Sequence, residues 1–229
     1  MLPSEFAEVA AYPSLRKLLQ NQVDMQFEDL RTLMRLPLPE HGLTAGCNLS
    51  AAAILFNAIA GASVCFYNTS VEALTNRGDR GKRFTEVLTR YYPWGGETLS
   101  VADCVACLYE SARNPLAHAF GLDSPSSVRF EVRLSKRSLT PDEIAQLEEC
   151  ADRPTWLPPT LLVDRKRSTG AIRVEVSVLT LFWGVHRMLH ALLADREQAK
   201  SGEAVAQHFE IHWLTFVSDL GAPPPFEDS

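Results

Sequence analysis

Residues 172–182 read Ile172-Arg-Val-Glu-Val-Ser-Val-Leu-Thr-Leu-Phe182, and within this stretch the hydrophobic pattern changes its period. From Ile172 to Val178 apolar and polar residues alternate, which is typical of a half-buried β-strand. Beyond Val178 the apolar residues recur at helical spacing, at Phe182, Val185, Leu189 and Leu192. The sequence therefore predicts a strand that leads directly into a helix.

Helical patterns account for most of the remaining chain. The first helix is predicted to begin with Ser14 as its N-cap and to end before Pro37. The next, capped by Asn48 or Ser50 and running to about Tyr67, is the most apolar stretch. It is too short and too polar for a membrane span, so we interpret it as a buried helix. The same spacing predicts further helices over approximately 84–91, 101–112, 178–192 and 205–220, and Ser100 can cap the second of these.

Strand patterns are confined to the centre of the chain, at roughly 127–135, 159–165 and 171–177. The last two strands flank a turn near 168–170, which predicts a hairpin. Between the first two, Thr140 and Glu143 have the spacing of a capping box, which begins a short helix. We therefore predict a mainly α protein, a helical bundle with a small antiparallel β insertion (α+β).

A single domain is predicted, because no internal repeat, low-complexity block or long linker interrupts the 229 residues. Its parts are an N-terminal helical extension over 1–45, a helical core over 46–125, the sheet insertion over 126–177, C-terminal helices over 178–221 and a loose tail over 222–229.

Composition and charge limit the classes of function. The formal net charge of −6 provides no global positive field that would attract nucleic acid or an anionic membrane. Five cysteines without a signal peptide indicate reduced thiols in a cytoplasmic protein. Cys104-Val-Ala-Cys107 is formally a CxxC motif, but it lies in a predicted helix without a second pair, so we interpret it as buried thiols. The sequence lacks a Gly-rich phosphate loop, a GxSxG elbow and an HExxH motif.

Two histidine pairs have a spacing that suits metal binding. His186 and His190 are four residues apart on one predicted helix, as are His208 and His212 on the next. Such pairs place two imidazoles on one helix face and could hold Zn²⁺. Both lie beside an apolar stripe with few carboxylates. We therefore favour histidines packed at the helix edge with the polar tip outward, and we expect neither a bound metal nor another cofactor.

The clearest candidate for a functional site is the segment Arg113-Asn-Pro-Leu-Ala-His118. Pro115 disfavours a helix interior and pushes Asn114 out of the α region, so a new helix is predicted to begin here. Arg113 would then end one helix, and His118 would lie in the first turn of another. The free N–H groups of that turn and the guanidinium would form an anion site. A purely structural role, with Arg113 and Asn114 capping a kinked helix over a packed His118, is equally compatible with these residues.

This hexapeptide, with its lead-in Leu108–Ala112 and its exit Ala119–Gly121, resembles the signature of the HEPN superfamily. Those helical-bundle proteins are marked by Arg-x4–6-His, often with Asn after the Arg. The resemblance covers about residues 48–195, and only the hexapeptide is specific. It extends to the apolar helix, to Arg83-Phe84 with Tyr91-Tyr-Pro93, and to residues 172–182. The N-terminal helices and residues 126–168 have no counterpart.

The resemblance implies a metal-independent endoribonuclease that cleaves single-stranded RNA as a homodimer, in bacterial defence or a toxin–antitoxin system with an antitoxin protein as partner. His118 would act as base or acid at the ribose 2′-hydroxyl, Arg113 would stabilise charge on the phosphate, and Asn114 would orient the site. No cofactor and no membrane are implied.

Two alternatives stay open. Many members of the superfamily serve only for binding or dimerisation, so the chain could be a non-catalytic module that binds a protein or a nucleotide. The weaker alternative is a metal-dependent enzyme built on the His186/His190 and His208/His212 pairs.

Overall fold

The computed structural model describes residues 11–36, 48–66, 80–113, 128–133, 138–165 and 172–219. Within these ranges the chain is mainly helical with a small sheet, which confirms the predicted fold class. The helices are α1 (Pro13–Leu18), α2 (Asp24–Arg35), α3 (Asn48–Phe66), α4 (Arg80–Tyr91), α5 (Val101–Cys107), α6 (Pro141–Glu149), α7 (Val178–Ala194) and α8 (Arg196–Asp219). The strands are β1 (Val128–Arg133), β2 (Leu161–Arg165) and β3 (Ile172–Ser177).

The predicted first helix is continuous from Pro13 to Arg35, but a π-helical turn, Leu19–Val23, joins α1 to α2. The predicted N-cap is wrong. The helix begins at Pro13, one residue before Ser14, and the residue ahead of it makes no side-chain cap. The N-terminus is instead capped from α8, because Glu203 accepts hydrogen bonds from the backbone N–H groups of Ser14 (3.4 Å) and Leu15 (2.8 Å). A distant carboxylate thus satisfies donors that the local sequence leaves open.

Two other helix starts follow the predicted capping chemistry. Ser100 accepts a hydrogen bond from the N–H of Asp103 at 3.2 Å, which begins α5. Thr140 and Glu143 form a reciprocal capping box at the start of α6, and Pro141 occupies its first position. Local side-chain chemistry therefore fixes both N-termini, as the sequence predicts.

The core is organised around α7, whose side chains are buried almost all the way round. This helix packs against α3, α4, α6 and α8, and the apolar helix α3 packs in turn against α2, α4 and α8. The helix predicted for residues 48–67 is present over Asn48–Phe66, and half of its apolar stretch is buried. Apolar burial on this scale is the main source of stability, at roughly 25 cal/mol for each Å² removed from water.

The sheet has the order β1-β3-β2. β2 pairs with β3 antiparallel, as the predicted hairpin requires, while its turn lies outside the described residues. β1 pairs with β3 in parallel, in register from Val128 opposite Ile172 to Arg133 opposite Ser177. The expectation of a wholly antiparallel sheet therefore holds for only one of the two pairings. Period-two alternation identifies a strand but carries no information about its neighbour or direction.

Within the described residues, one helical stretch, Leu49–Phe66, is long and apolar enough to cross a membrane. Half of it is buried inside the protein, and the core helix of a soluble protein has the same length and composition. This stretch is therefore weak evidence for a membrane span.

Candidate functional site

The predicted motif begins at Arg113, the last described residue of the helical segment that starts with α5. After α5 the chain continues as a π-helical turn, Leu108–Arg113. Arg113 therefore lies in helical backbone, and the end of the helix at this residue stays a prediction. Asn114, His118 and the predicted break at Pro115 lie outside the described residues.

The π-helical turn was not predicted from the sequence. Val101, Val105 and Leu108 have α-helical spacing. A π turn that follows them adds one residue to the helical turn and leaves the spacing before it unchanged, so the pattern does not reveal it. Leu108, at the start of the turn, is fully buried in the core. Single π turns inside helices are rare and occur frequently at functional sites. Since α1 and α2 are also joined by a π turn, this feature supports the motif only together with its sequence.

Tyr109, the second residue of the π turn, lies against α4. Its ring centroid is 5.4 Å from that of Phe84, with the two ring planes tilted by 51°. Its hydroxyl and ring edge come so close to Gly81 that a Cβ atom there would lie 2.7 Å from the hydroxyl oxygen and 2.9 Å from Cζ. A side chain at position 81 would therefore collide with Tyr109, so the contact requires glycine.

A buried cation lies in the same turn of α4. Arg83 is 5% exposed and is the only arginine of the described residues in the buried class. Its neighbour Phe84 is the residue whose ring meets Tyr109. Because burying a guanidinium is costly unless it is hydrogen-bonded, Arg83 is more tightly constrained than a solvated surface arginine.

The prediction that the CxxC residues of α5 are buried thiols holds for Cys104 but only in part for Cys107. Cys104 is buried, Cys107 is half-buried, and neither forms a disulfide. Burial, reinforced by the Glu97 carboxylate, raises the pKa of the Cys104 thiol to about 11. The thiolate is the nucleophile and the metal-binding form, so Cys104 is poorly suited to either role at neutral pH.

The first histidine pair lies inside the protein. His186 in α7 is 3% exposed and packs against Phe27 of α2, with the ring centroids 5.6 Å apart. Arg187 lies within hydrogen-bonding distance, 2.9 Å from Nδ1, and the His190 ring is 4.8 Å away. Burial, assisted by the nearby charges of His190 and Arg187, lowers the pKa of His186 to about 3. The expectation that its polar tip points outward is therefore wrong for His186, because the ring fills core space beside Phe27.

The second histidine pair lies on α8. His208 is half-buried beside Phe209, with the two ring centroids 6.1 Å apart, and the side chain of His212 is outside the described part. Among the described residues, no group of three or more His, Cys, Asp or Glu side chains is arranged to hold a metal ion.

A groove that the sequence did not reveal runs between α1, the first π turn and α8. Its volume is about 380 Å³. The Lys17–Glu210 ion pair of 2.6 Å and the 44% exposed side chain of Phe209 line the groove. The remaining lining residues are Ser14, Leu18, Asn21, Gln22 and Ala206. The volume lies within the range of small-molecule sites, whereas five of the eight lining residues are polar or charged.

No protein-family model matches the chain, and comparisons with curated proteins and with solved structures find no significant match.

Proposed function

We propose that the protein is a metal-independent endoribonuclease of the HEPN type, which cleaves single-stranded RNA through attack by the substrate's own 2′-hydroxyl. One observation carries the proposal: Arg113, the first residue of the hexapeptide Arg113–His118, lies in a π-helical turn. The specific sequence and the unusual backbone therefore coincide at Arg113.

The proposed chemistry needs only side chains that the motif supplies. His118 takes the proton of the attacking 2′-hydroxyl or returns one to the leaving 5′-oxygen. The Arg113 guanidinium pairs with the charged phosphate oxygens, which gain charge in the transition state. Asn114 orients the site. The products are a 2′,3′-cyclic phosphate, or the 3′-phosphate formed from it, and a free 5′-hydroxyl.

Assembly and setting follow from the same resemblance. The active form would be a homodimer in which two copies of the motif face each other across the interface. The substrate is RNA, and the protein acts in the cytoplasm of a bacterium, in defence or as a toxin held inactive by an antitoxin protein. The net charge of −6 creates an overall field that repels a polyanion. We therefore expect RNA to bind at a local surface of the protein.

The deciding experiment is an RNA-cleavage assay with the purified chain. We expect cleavage of single-stranded RNA in the presence of a chelator, with 2′,3′-cyclic phosphate or 3′-phosphate ends identified by mass spectrometry. An RNA carrying 2′-O-methyl groups at every position should remain intact, because its attacking oxygen is blocked. Cleavage of that RNA, or of DNA at a similar rate, would rule out this mechanism.

A second candidate is a non-catalytic member that binds a protein or a nucleotide, and the groove beside Phe209 favours it. An aromatic ring exposed at the edge of a groove is a common anchor for a ligand or a partner. The same assay separates the candidates, because a binding module leaves RNA intact at every protein concentration.

The third candidate, a metal-dependent enzyme on the two histidine pairs, has less support. His186 packs against Phe27 in the core, so burial opposes its protonation, and a metal ion bound there would have to displace packed side chains. Zinc analysis of dialysed protein tests this candidate directly.

A further inference from the structure

The contact between Tyr109 and Gly81 lies between the proposed site and the helical core. Tyr109 belongs to the π turn that ends at Arg113, and Gly81 lies in the first turn of α4. A Cβ atom at position 81 would meet the Tyr109 hydroxyl at 2.7 Å, Cζ at 2.9 Å and Cε1 at 3.3 Å. The hydroxyl oxygen and two ring atoms would be affected, so this edge of the tyrosine side chain occupies the space that a side chain would need.

The ring is half-buried, and its movement is restricted on the side that faces the core. There it meets Phe84, which is 1% exposed, and the residue before it, Leu108, is fully buried. A tyrosine ring is rigid, and close-packed neighbours transmit displacement rather than absorb it. A clash at position 81 therefore shifts the Tyr109 side chain, the backbone of the π turn or the start of α4.

We propose that Tyr109, seated on Gly81, is a positioning residue that fixes the π turn and thereby the place of Arg113 against the RNA phosphate. The inference rests on the proposed function and adds to it residues outside the motif. Arg113 follows Tyr109 by four residues, about 6 Å along a helix axis at roughly 1.5 Å per residue. Tyr109 and Arg113 belong to the same π turn, so the position of the Tyr109 ring constrains the position of Arg113.

The distances set the size of the expected effect. Ordinary contact for a Cβ atom begins near 3.4 Å, whereas the hydroxyl lies at 2.7 Å, so the ring must retreat by several tenths of an ångström. Functional groups have to be held within about 0.5 Å of their productive geometry. A misplacement of about 1 Å costs on the order of 10²-fold in rate. We therefore expect Gly81→Ala to lower kcat by about tenfold or more.

The chain offers a matched control in α3. Gly61 is also helical, and a Cβ atom there would meet nothing within 4 Å. Both Gly61→Ala and Gly81→Ala replace a helical glycine by a better helix former. Only the second creates a collision, so the difference between the two variants isolates the contact with Tyr109 from helix propensity.

The experiment uses the full-length protein and four variants: Gly81→Ala, Tyr109→Leu, the double variant and Gly61→Ala. Leucine is too short to reach position 81. We expect kcat to fall in Gly81→Ala and in Tyr109→Leu, with KM changed by less than about threefold, because docking of the RNA is kept while the phosphate contact is misplaced. The double variant should match Tyr109→Leu, since the added methyl group then has no ring to displace. Gly61→Ala should behave like the wild type.

A second measurement separates this inference from the proposed function. Hydrogen exchange followed by mass spectrometry should show faster exchange in the peptide covering 108–113 for Gly81→Ala but not for Gly61→Ala. This result stands even if the wild-type chain cleaves no RNA, in which case the proposed function fails and the positioning of the turn is retained. Wild-type kcat in Gly81→Ala together with unchanged exchange overturns the inference while leaving a ribonuclease intact. If Gly81→Ala does not fold, Tyr109→Leu alone decides, and wild-type kcat in that variant overturns the inference.

Discussion

The side chain of Glu203 and the backbone N–H of Leu15 are joined by a buried hydrogen bond of 2.8 Å, although the residues are 188 positions apart. The same carboxylate also accepts the N–H of Ser14. Gln207, one turn further along α8, donates to it at 2.8 Å. Glu203 of α8 therefore caps the start of α1 and, together with the Lys17–Glu210 ion pair, joins the two helices.

Replacing Glu203 by Ala should destabilise the protein by about 1–3 kcal/mol, because the buried N–H groups at the start of α1 lose their acceptor. Urea unfolding followed by circular dichroism measures this. Lys200→Ala, an exposed position in the same helix, is the control and should change stability by less than about 0.5 kcal/mol. Equal effects of the two variants would show that the remote cap contributes nothing.

The buried His186 predicts acid sensitivity. Its pKa falls to about 3 in the folded protein, whereas the ordinary value is 6.5. Between pH 3 and pH 6.5, His186 is therefore protonated in the unfolded chain but not in the folded chain. The free energy of unfolding falls as the pH is lowered from 6.5 towards 3. Between pH 6.5 and 5 this one residue should remove up to about 2 kcal/mol, at roughly 1.36 kcal/mol per pH unit.

The check is a comparison of wild type with His186→Gln, which cannot gain a proton. Unfolding free energies from urea titrations at pH 7, 6 and 5 should decline less steeply in the variant. Parallel pH profiles for the two proteins would mean that His186 titrates normally in the folded state.

Gly184→Ala should be strongly destabilising, because a Cβ atom there would lie 2.3 Å from Cζ and from the hydroxyl oxygen of Tyr92. Tyr92 is 4% exposed and its hydroxyl is hydrogen-bonded to Thr160 at 3.0 Å, so the ring cannot withdraw. Overpacking of a filled core costs typically about 1–3 kcal/mol. Thermal unfolding should show a clear fall in Tm for Gly184→Ala and none for Gly61→Ala, and similar Tm values would contradict the packing described for Tyr92.

The elements that the sequence predicted well are those set by local patterns. The change of period at Val178 marks the junction of β3 and α7, and the capping residues Ser100 and Thr140 mark helix starts. Each of these signals lies within a few residues of the feature it predicts, so no knowledge of the tertiary structure is needed.

The features that escaped prediction depend on distant residues. Three such features join segments far apart in the chain. They are the cap supplied by Glu203, the parallel pairing of β1 with β3 and the contact of Tyr109 with Gly81. In the candidate site the sequence supplied the motif, whereas only the structure shows the π turn that leads into it. No spacing rule for apolar residues distinguishes that turn from ordinary helix.

The motif itself gives the most decisive prediction. His118→Ala should lower the rate of RNA cleavage by about 10²–10⁴-fold, because it removes the group that transfers the proton. Arg113→Ala should cost on the order of 10²–10³-fold, because charge on the phosphate loses its partner. Gel-based cleavage assays in the presence of a chelator measure both, with Arg196→Ala, an exposed arginine in α8, as the control that keeps wild-type activity.

The structural role that the sequence left open predicts the reverse pattern. If Arg113 and His118 only cap and pack a kinked helix, the wild-type protein leaves RNA intact. Either substitution then lowers Tm through a lost cap or core contact. A catalytic pair that lines an open cleft instead leaves Tm within a few degrees of wild type while activity is lost. Measuring Tm and cleavage on the same preparations therefore assigns the motif to catalysis or to structure, because each role changes one of the two quantities and spares the other.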